Sequence, residues 1–335
     1  MEPVRRAVID VGTNSIKLLV ADVAGHEVRP VLEQSKQTRL GRGFYETQKL
    51  KHQAIVDTAS AVSEFADTAR HHNAASIRVF ATSAARDAQN PEDLTAAIRK
   101  LSGLRVEIIT GEHEAAWAFQ GVTTDPALAR EPLLLLDVGG GSTEFIVGQG
   151  EQKHFSASFP LGTVRLLEKL PHSEPPKPAE LTACRQWIRL FLQKEVRPQL
   201  EPAIEDMLKR ISAVKGRDQL KLVGTGGTAT ILARIEAQLT DYDRERIEAV
   251  RLSAERLRWH VEHLWKLPLE SRKQIVGLPP NRADVILTGA AVYEGIMEEF
   301  EFGECQISTR GLRFAAVMAQ PVVVGEPSAG TAATA

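Results

Sequence analysis

The chain has 335 residues, long for one domain and comfortable for two. Its hydrophobic share of 43% is ordinary for a soluble globular protein, and its formal net charge of −2 offers no global basic field for nucleic acid. With two cysteines, no leader-like N-terminus and no apolar run near the ~20 residues of a membrane span, the sequence predicts free thiols, no disulfide frame, no zinc site and a cytoplasmic protein.

Residues 4–39 predict three strands. The first two form a hairpin, VIDVGTNSIKLLV over 8–20, turning at Gly12-Thr13-Asn14-Ser15. Ile55, Val56, Ala59, Val62, Phe65, Ala66 and Ala69 recur at three and four and predict a helix over 51–72. A strand at 76–81 runs into a small-residue turn, Ala81-Thr82-Ser83-Ala84-Ala85-Arg86-Asp87. Asn90 ahead of Pro91 predicts the N-cap of a helix over 91–101. A strand at 106–110 precedes a helix over 112–121 that opens with Glu112, His113 and Glu114. Acidic residues suit a helix N-terminus; a general base is the sharper reading.

A second lobe begins near Glu131-Pro132 with a strand at 133–136. It then repeats the hairpin as LLDVGGGSTEFIV over 135–147. Aligned without a gap, Asp10 falls on Asp137, Gly12 on Gly139, Ser15 on Ser142 and Lys17 on Glu144. A third strand is predicted near 153–158 and a proline-rich loop over 171–178. One amphipathic helix over 180–200 carries Leu181, Cys184, Trp187, Ile188 and Phe191 inward. A strand at 220–223 feeds Gly224-Thr225-Gly226-Gly227-Thr228, which opens a helix. Helices fill most of 253–300, then a last strand over 302–308 and a closing helix over 311–318. Residues 320–335 predict a disordered tail.

The alternation makes the class α/β, with one domain over 1–125 and another over 126–309. The helix near 310–319 is placed back on the first domain. Each lobe opens with a three-stranded meander, unlike the β-α-β start of a dinucleotide fold.

The hairpin turns expose backbone N–H groups and hydroxyls that can hold a phosphate. One such turn reads as a plain hairpin; its recurrence in register favours binding by Gly12, Thr13, Asn14 and Ser15 together with Gly139, Gly140, Gly141 and Ser142. Three successive glycines carry a backbone-entropy cost, which close approach to phosphate oxygens explains. Gly226, Gly227 and Thr228 read as a third wall of the same cleft, or as a close strand–helix packing turn. Arg86 reads as a phosphate contact, or as a surface partner of Asp87. No GxxxxGK[ST], HExxH or GxSxG motif is present, and no Cys/His nucleophile arrangement. Two basic runs read as solvated faces or as a track for a long polyanion. One is Lys209, Arg210, Lys215, Arg217 and Lys221; the other is Arg185, Arg189, Lys194 and Arg197.

The stretches IDVGTNSIKLLV (9–20), ATSAARDAQN (81–90), TGEHEA (110–115), LDVGGGSTEF (136–145), PLGTVRLLE (160–168), VGTGGT (223–228), RADVILTGAAV (282–292) and STRGLR (308–313) occur in family order. The sequence resembles the exopolyphosphatase/guanosine pentaphosphate phosphohydrolase family, of the actin, sugar kinase and acetate kinase superfamily. The likeness covers about residues 5–318 and is to the short family members. It implies two actin-like (ribonuclease H-like) domains with an inter-lobe cleft. It also implies hydrolysis of terminal phosphoanhydrides in inorganic polyphosphate or guanosine pentaphosphate, with Mg2+. Carried over by motif, Glu114 is the catalytic glutamate. Asp137 is the phosphate- and metal-associated aspartate, with Gly139, Ser142 and Glu144 in its motif, and Arg86 binds phosphate. Mg2+ falls to Asp137 and Glu144. One departure stands out: His113 occupies a position where the family commonly has glutamate. Two alternatives remain open, an ATP-dependent phosphotransferase or ATPase, and a non-catalytic sensor of guanosine tetra- or pentaphosphate. The long helices of the second lobe suit a homodimer, though no residue pattern fixes one.

Overall fold

The computed structural model describes residues 2–211 and 219–319. The expected tail, and Lys215 and Arg217 of one basic run, lie outside the described residues.

The first sheet contains β1 (Val4–Val11), β2 (Ser15–Ala24), β3 (Glu27–Gln37), β4 (Ile77–Ala81) and β5 (Val106–Ile108), in the order β3-β2-β1-β4-β5. The first three strands form an antiparallel meander, and β4 and β5 add in parallel. Helices α1 (Phe44–Thr47), α2 (His52–His71), α3 (Ser83–Asp87), α4 (Pro91–Ser102) and α5 (Gly111–Val122) complete this lobe. The buried face of α2 carries Ile55, Ala59, Val62, Phe65, Ala66 and Ala69, the spacing of three and four expected from sequence.

The second sheet contains β6 (Pro132–Val138), β7 (Thr143–Gln149), β8 (Gln152–Phe159), β9 (Lys221–Thr225), β10 (Arg251–Ser253) and β11 (Glu304–Ile307). From the β8 edge it runs β8-β7-β6-β9-β11-β10, so its first five strands repeat the order and senses of the first sheet. The duplicated hairpin is thus the start of a duplicated domain, and two actin-like domains face each other. Strand β10 has no counterpart in the sequence reading, because three residues are too few to show a period.

The second lobe's helices are α6 (Thr163–Lys169), α7 (Pro178–Phe191), α8 (Arg197–Ile211), α9 (Gly226–Glu236), α10 (Arg244–Glu248), α11 (Ala254–Lys266), α12 (Leu269–Arg272) and α13 (Ile286–Glu299). Helix α14 (Leu312–Met318) crosses back and packs on α5, β1 and β2. A Cβ on Gly121 would fall 2.0 Å from the Gly311 carbonyl oxygen, so only glycine lets α5 approach the start of α14. Around them a core cluster draws on both sheets, with Val8, Leu19 and Phe80 from one and Leu133, Leu135 and Ile146 from the other.

Two local expectations are corrected and a third is refined. The single helix over 180–200 is two helices joined by a π turn, Leu192–Val196. Pro198 lacks the N–H that would bond to Lys194, and its ring crowds that carbonyl, so the helix widens just before it. Trp187 and Phe191 are half-buried and stack on each other, ring centroids 5.2 Å apart, rather than entering the core. Asn90 is the N-cap residue of α4 ahead of Pro91, as expected, but its side chain makes no cap bond: Oδ1 accepts from the Leu50 N–H at 2.8 Å and Nδ2 donates to the Leu50 carbonyl at 3.2 Å.

Candidate active site

Both hairpin turns are built the same way. Gly12 N–H donates to the Ser15 carbonyl at 3.1 Å, and Gly139 N–H donates to the Ser142 carbonyl at 2.9 Å. The carbonyls of Thr13 and Asn14 accept from the 38–41 segment, and those of Gly139 and Gly140 accept from 163–165. No protein acceptor takes the N–H groups of Thr13, Asn14, Gly140 or Gly141 among the described residues. The turns therefore offer donors while their acceptors are already satisfied, the arrangement an anion needs.

The glycine run has a second cause. A Cβ on Gly140 would lie 3.0 Å from Thr13 Cβ, and one on Gly141 would lie 2.3 Å from Ser83 Oγ. The two turns touch across the lobes, so the glycines serve lobe contact as well as exposed donors.

Asp10, Gly12, Thr13, Asn14, Ser15, Asp137, Gly139, Gly140, Gly141, Ser142, Gly227, Thr228 and Glu114 line one cleft. The structure thus brings the expected phosphate-binding residues and the expected glutamate together. Gly226 stands just outside, against Asp137: its φ is +83°, and a Cβ there would fall 2.1 Å from Asp137 Oδ1. Thr228 Oγ1 donates to the Val138 carbonyl at 2.9 Å, tying the start of α9 to the end of β6.

Glu114 is buried in the first turn of α5. Burial, then repulsion from Glu144, pushes its carboxyl well above the ordinary range, against the pull of Arg86. The acidic cluster expected at 112–114 divides by helical geometry. Glu112 faces solvent, while the His113 ring stands edge-on to Trp117 with centroids 4.2 Å apart.

Arg86 lies outside the loop cleft and lines the adjoining pocket with Ser83, Ser142 and Ser158. Its Nη1 donates to Glu114 Oε2 at 2.9 Å and to the Ile109 carbonyl at 3.2 Å. In this structure it grips the glutamate.

Glu144 is 1% exposed and sits behind the wall formed by Asp137 and Ser142. Burial and the neighbouring Asp137 push its carboxyl up to about 7, against hydrogen bonds from Ser158 and Ser142. Asp137 and Asp10 are also raised, first by burial, with Lys17 and Arg313 opposing. The Lys17 amine is lowered by burial and held up by Asp10.

Several cleft residues were not singled out from sequence. Asp10 had a signal, its register match to Asp137. Lys17 had one in its match to Glu144. Arg282 opens the RADVILTGAAV stretch, but its partner was not legible there: its guanidinium donates to Ser15 Oγ at 2.7 Å across 267 residues, and burial lowers it to about 10. Four of the described cations in the basic runs face carboxylates. Arg185 pairs with Glu294 at 2.5 Å and Arg197 with Glu299 at 2.6 Å. Arg210 pairs with Asp206 at 2.8 Å and Lys221 with Glu131 at 2.9 Å.

Residues 19–318 match the Ppx/GppA phosphatase family. Exopolyphosphatase 2 of Mycobacterium tuberculosis is 34% identical over 304 residues, 88% of this chain and 90% of that protein. Exopolyphosphatase 1 of the same species is 29% identical, over 92% of this chain and 86% of its own length. The crystal structure of an exopolyphosphatase from Cytophaga hutchinsonii superposes with a TM-score of 0.80 at 25% identity, covering 93% of this chain and 96% of that one. The Aquifex aeolicus member of the Ppx/GppA family gives a TM-score of 0.72 at 26% identity, over 94% and 97%. Paired glycine turns, a buried glutamate between duplicated lobes and these matches agree: the chain belongs to the Ppx/GppA phosphatase family.

Proposed function

We propose that this chain is an exopolyphosphatase, releasing terminal orthophosphate from inorganic polyphosphate. The observation that carries the reading is Glu114, a buried carboxylate with a raised proton affinity, at a cleft walled by two donor-rich turns. The names of the relatives at 34% and 29% identity support it.

The leaving group of a phosphoanhydride is already a stable anion, so no strong general acid is required. The barrier is repulsion between an incoming water and a highly charged phosphate. The N–H groups of Thr13, Asn14, Gly140 and Gly141 receive the terminal phosphate oxygens as charge shifts during the reaction. Glu114 takes the proton of the attacking water, and Arg86 holds the glutamate in place. A base of this kind contributes about 10²–10⁴-fold. Thr228 and the start of α9 add a further positive edge.

The residues also fit Mg2+. Four buried carboxylates, Asp10, Glu114, Asp137 and Glu144, crowd a site meant for a polyanion. Lys17, Arg86, Arg282 and Arg313 stand near them, with Arg282 bound to Ser15 and Arg313 bridged to Glu33 at 3.0 Å. All four carboxyls are raised, in each case first by burial, and repulsion from a neighbouring carboxylate adds to the rise at Glu114, Asp137 and Glu144. All the donors are hard oxygens. Among the described residues no group of three His, Cys, Asp or Glu could hold a metal ion by itself, so water and phosphate oxygens would have to supply most of the ligands of an ion bound here. Asp137 and Glu144 would hold it, and when bound it would offset phosphate charge.

Guanosine pentaphosphate is a second reading. A cavity of about 400 Å3 opens from the same cleft, sharing Asp137 and Gly227, and Gln34, Tyr242 and Asn281 line it with room for a nucleoside. Buried free Cys184 and Cys305, their thiols pushed up to about 12 by burial, suit a reducing cytoplasm.

The deciding measurement is phosphate release by the purified chain with Mg2+. Long polyphosphate, tripolyphosphate and guanosine pentaphosphate are compared side by side. Release from polyphosphate without nucleotide or acceptor is expected. Release only when an acceptor or ATP is added would replace the hydrolase with a phosphotransferase.

A further inference from the structure

Three residues line up across the second sheet. Asp137 on β6 pairs with Glu144 on β7, and Glu144 pairs with Ser158 on β8. The first sheet carries the matching row Asp10, Lys17 and Ser35. The middle position changes sign between the lobes, and where it is a carboxylate the serine engages it. Ser158 Oγ donates to Glu144 Oε1 at 2.7 Å, and Ser142 Oγ donates to the same oxygen at 2.8 Å. Oε2 receives no protein donor among the described residues. A carboxylate pinned through one oxygen by two hydroxyls cannot swing without losing both bonds.

Ser158 is also a point of contact between the lobes. A Cβ built on Gly111 would lie 2.7 Å from Ser158 Cβ and 3.1 Å from its Oγ. Gly111 opens α5, the helix that carries Glu114. The serine is therefore gripped between the carboxylate it orients and the first turn of the helix bearing the base.

We propose that Ser158 is a positioning residue for the cation site. It fixes Oε1 of Glu144 behind Asp137, leaves Oε2 without a protein donor, and keeps that pose while Gly111 backs it. The proposal rests on the reading of Asp137 and Glu144 as the residues that hold the ion. Because Gly111 and Ser158 belong to different lobes, closure of the cleft and cation affinity rise together. Outer partners of metal-holding carboxylates change affinity by about 10–100-fold.

The test uses Mn2+ as the probe, with free Mn2+ read by electron paramagnetic resonance on the full chain without substrate. Ser158→Ala is expected to raise the Mn2+ Kd about tenfold. Gly111→Ala, whose methyl presses on the serine, is expected to move it the same way. Metal-free melting midpoints are expected to fall in both variants, since buried Glu144 loses a donor in one and a methyl meets Ser158 Cβ at 2.7 Å in the other, so Kd is read at a temperature where each variant is folded. Asp137→Asn separates the two readings. If Asp137→Asn weakens Mn2+ binding and Ser158→Ala does not, the role of Ser158 is overturned and the cation site stands. If wild type and Asp137→Asn bind alike, both fall. Should Ser158→Ala fail to fold, an unchanged Kd in Gly111→Ala overturns the proposal by itself.

Discussion

Arg86 and Glu114 form an ion pair between α3 and α5, with Nη1 2.9 Å from Oε2 and both side chains largely withdrawn from water. The pair makes the arginine of the ATSAARD turn and the glutamate of the TGEHEA turn one unit. Burial raises the glutamate's proton affinity, and Arg86 opposes that rise.

Glu114→Gln is expected to fold, to keep KM within about threefold and to lose kcat by 10² or more. Arg86→Ala is expected to lose kcat as well. The double variant should fall scarcely below Glu114→Gln alone, because residues acting as a unit do not add. Steady-state kinetics on polyphosphate with the two single variants and the double variant decides it; additive losses would mean that Arg86 acts on substrate independently.

Gly226 admits no side chain where it stands, with φ at +83° and Asp137 Oδ1 in the path of a Cβ. Gly226→Ala is expected to displace the Asp137 carboxylate and to raise the Mg2+ concentration for half-maximal activity, in parallel with Asp137→Asn. A Mg2+ titration of activity reads both. An alanine variant with the wild-type Mg2+ midpoint would detach this glycine from the cation site.

The proton on Glu144 gives a stability prediction with a definite sign. Its folded value of about 7 exceeds the ordinary 4.5, so folding takes up a proton between these values. That contribution is full at pH below 4.5 and is lost as pH rises toward 7 and beyond. In chelator, wild type is expected to lose stability relative to Glu144→Gln between pH 5 and 8, by roughly 3 kcal/mol at most. Urea midpoints of the two proteins across that range measure it. Parallel curves would place the Glu144 proton elsewhere.

Ion pairing of the basic helix faces bears on long substrates. Arg185, Arg197, Arg210 and Lys221 each face a carboxylate within 3 Å. The salt dependence of kcat/KM is therefore expected to be similar for long polyphosphate and tripolyphosphate. A much steeper slope for the long chain would show that these cations, or Lys215 and Arg217, leave their partners for substrate.

Much of the site was legible because it is local. A glycine turn between two apolar strands is written in adjacent letters, and its second copy fixed the register of Asp137 against Asp10. What was not legible is what the chain brings together over distance. Arg282 reaches Ser15, and Arg244 and Arg313 both reach Glu33 from the far end of the chain. Arg282 and Arg313 stand in the stretches RADVILTGAAV and STRGLR, but no neighbouring letter names the partner of any of the three. Arg86 and Glu114 were each visible, but their pairing was not, since it depends on how β4 and β5 set α3 beside α5. The π turn escaped because apolar spacing continues smoothly through it; only Pro198 marks it.

Gly140 resting on Thr13 works as a mechanical stop between the two jaws. The hydrogen on a glycine Cα lets the two turns meet here, because a carbon in its place would lie 3.0 Å from Thr13 Cβ. A bulkier residue at 140 would act as a wedge and leave the jaws ajar. The reach of the first turn's donors toward a phosphate held by the second is thus gauged by the smallest side chain available.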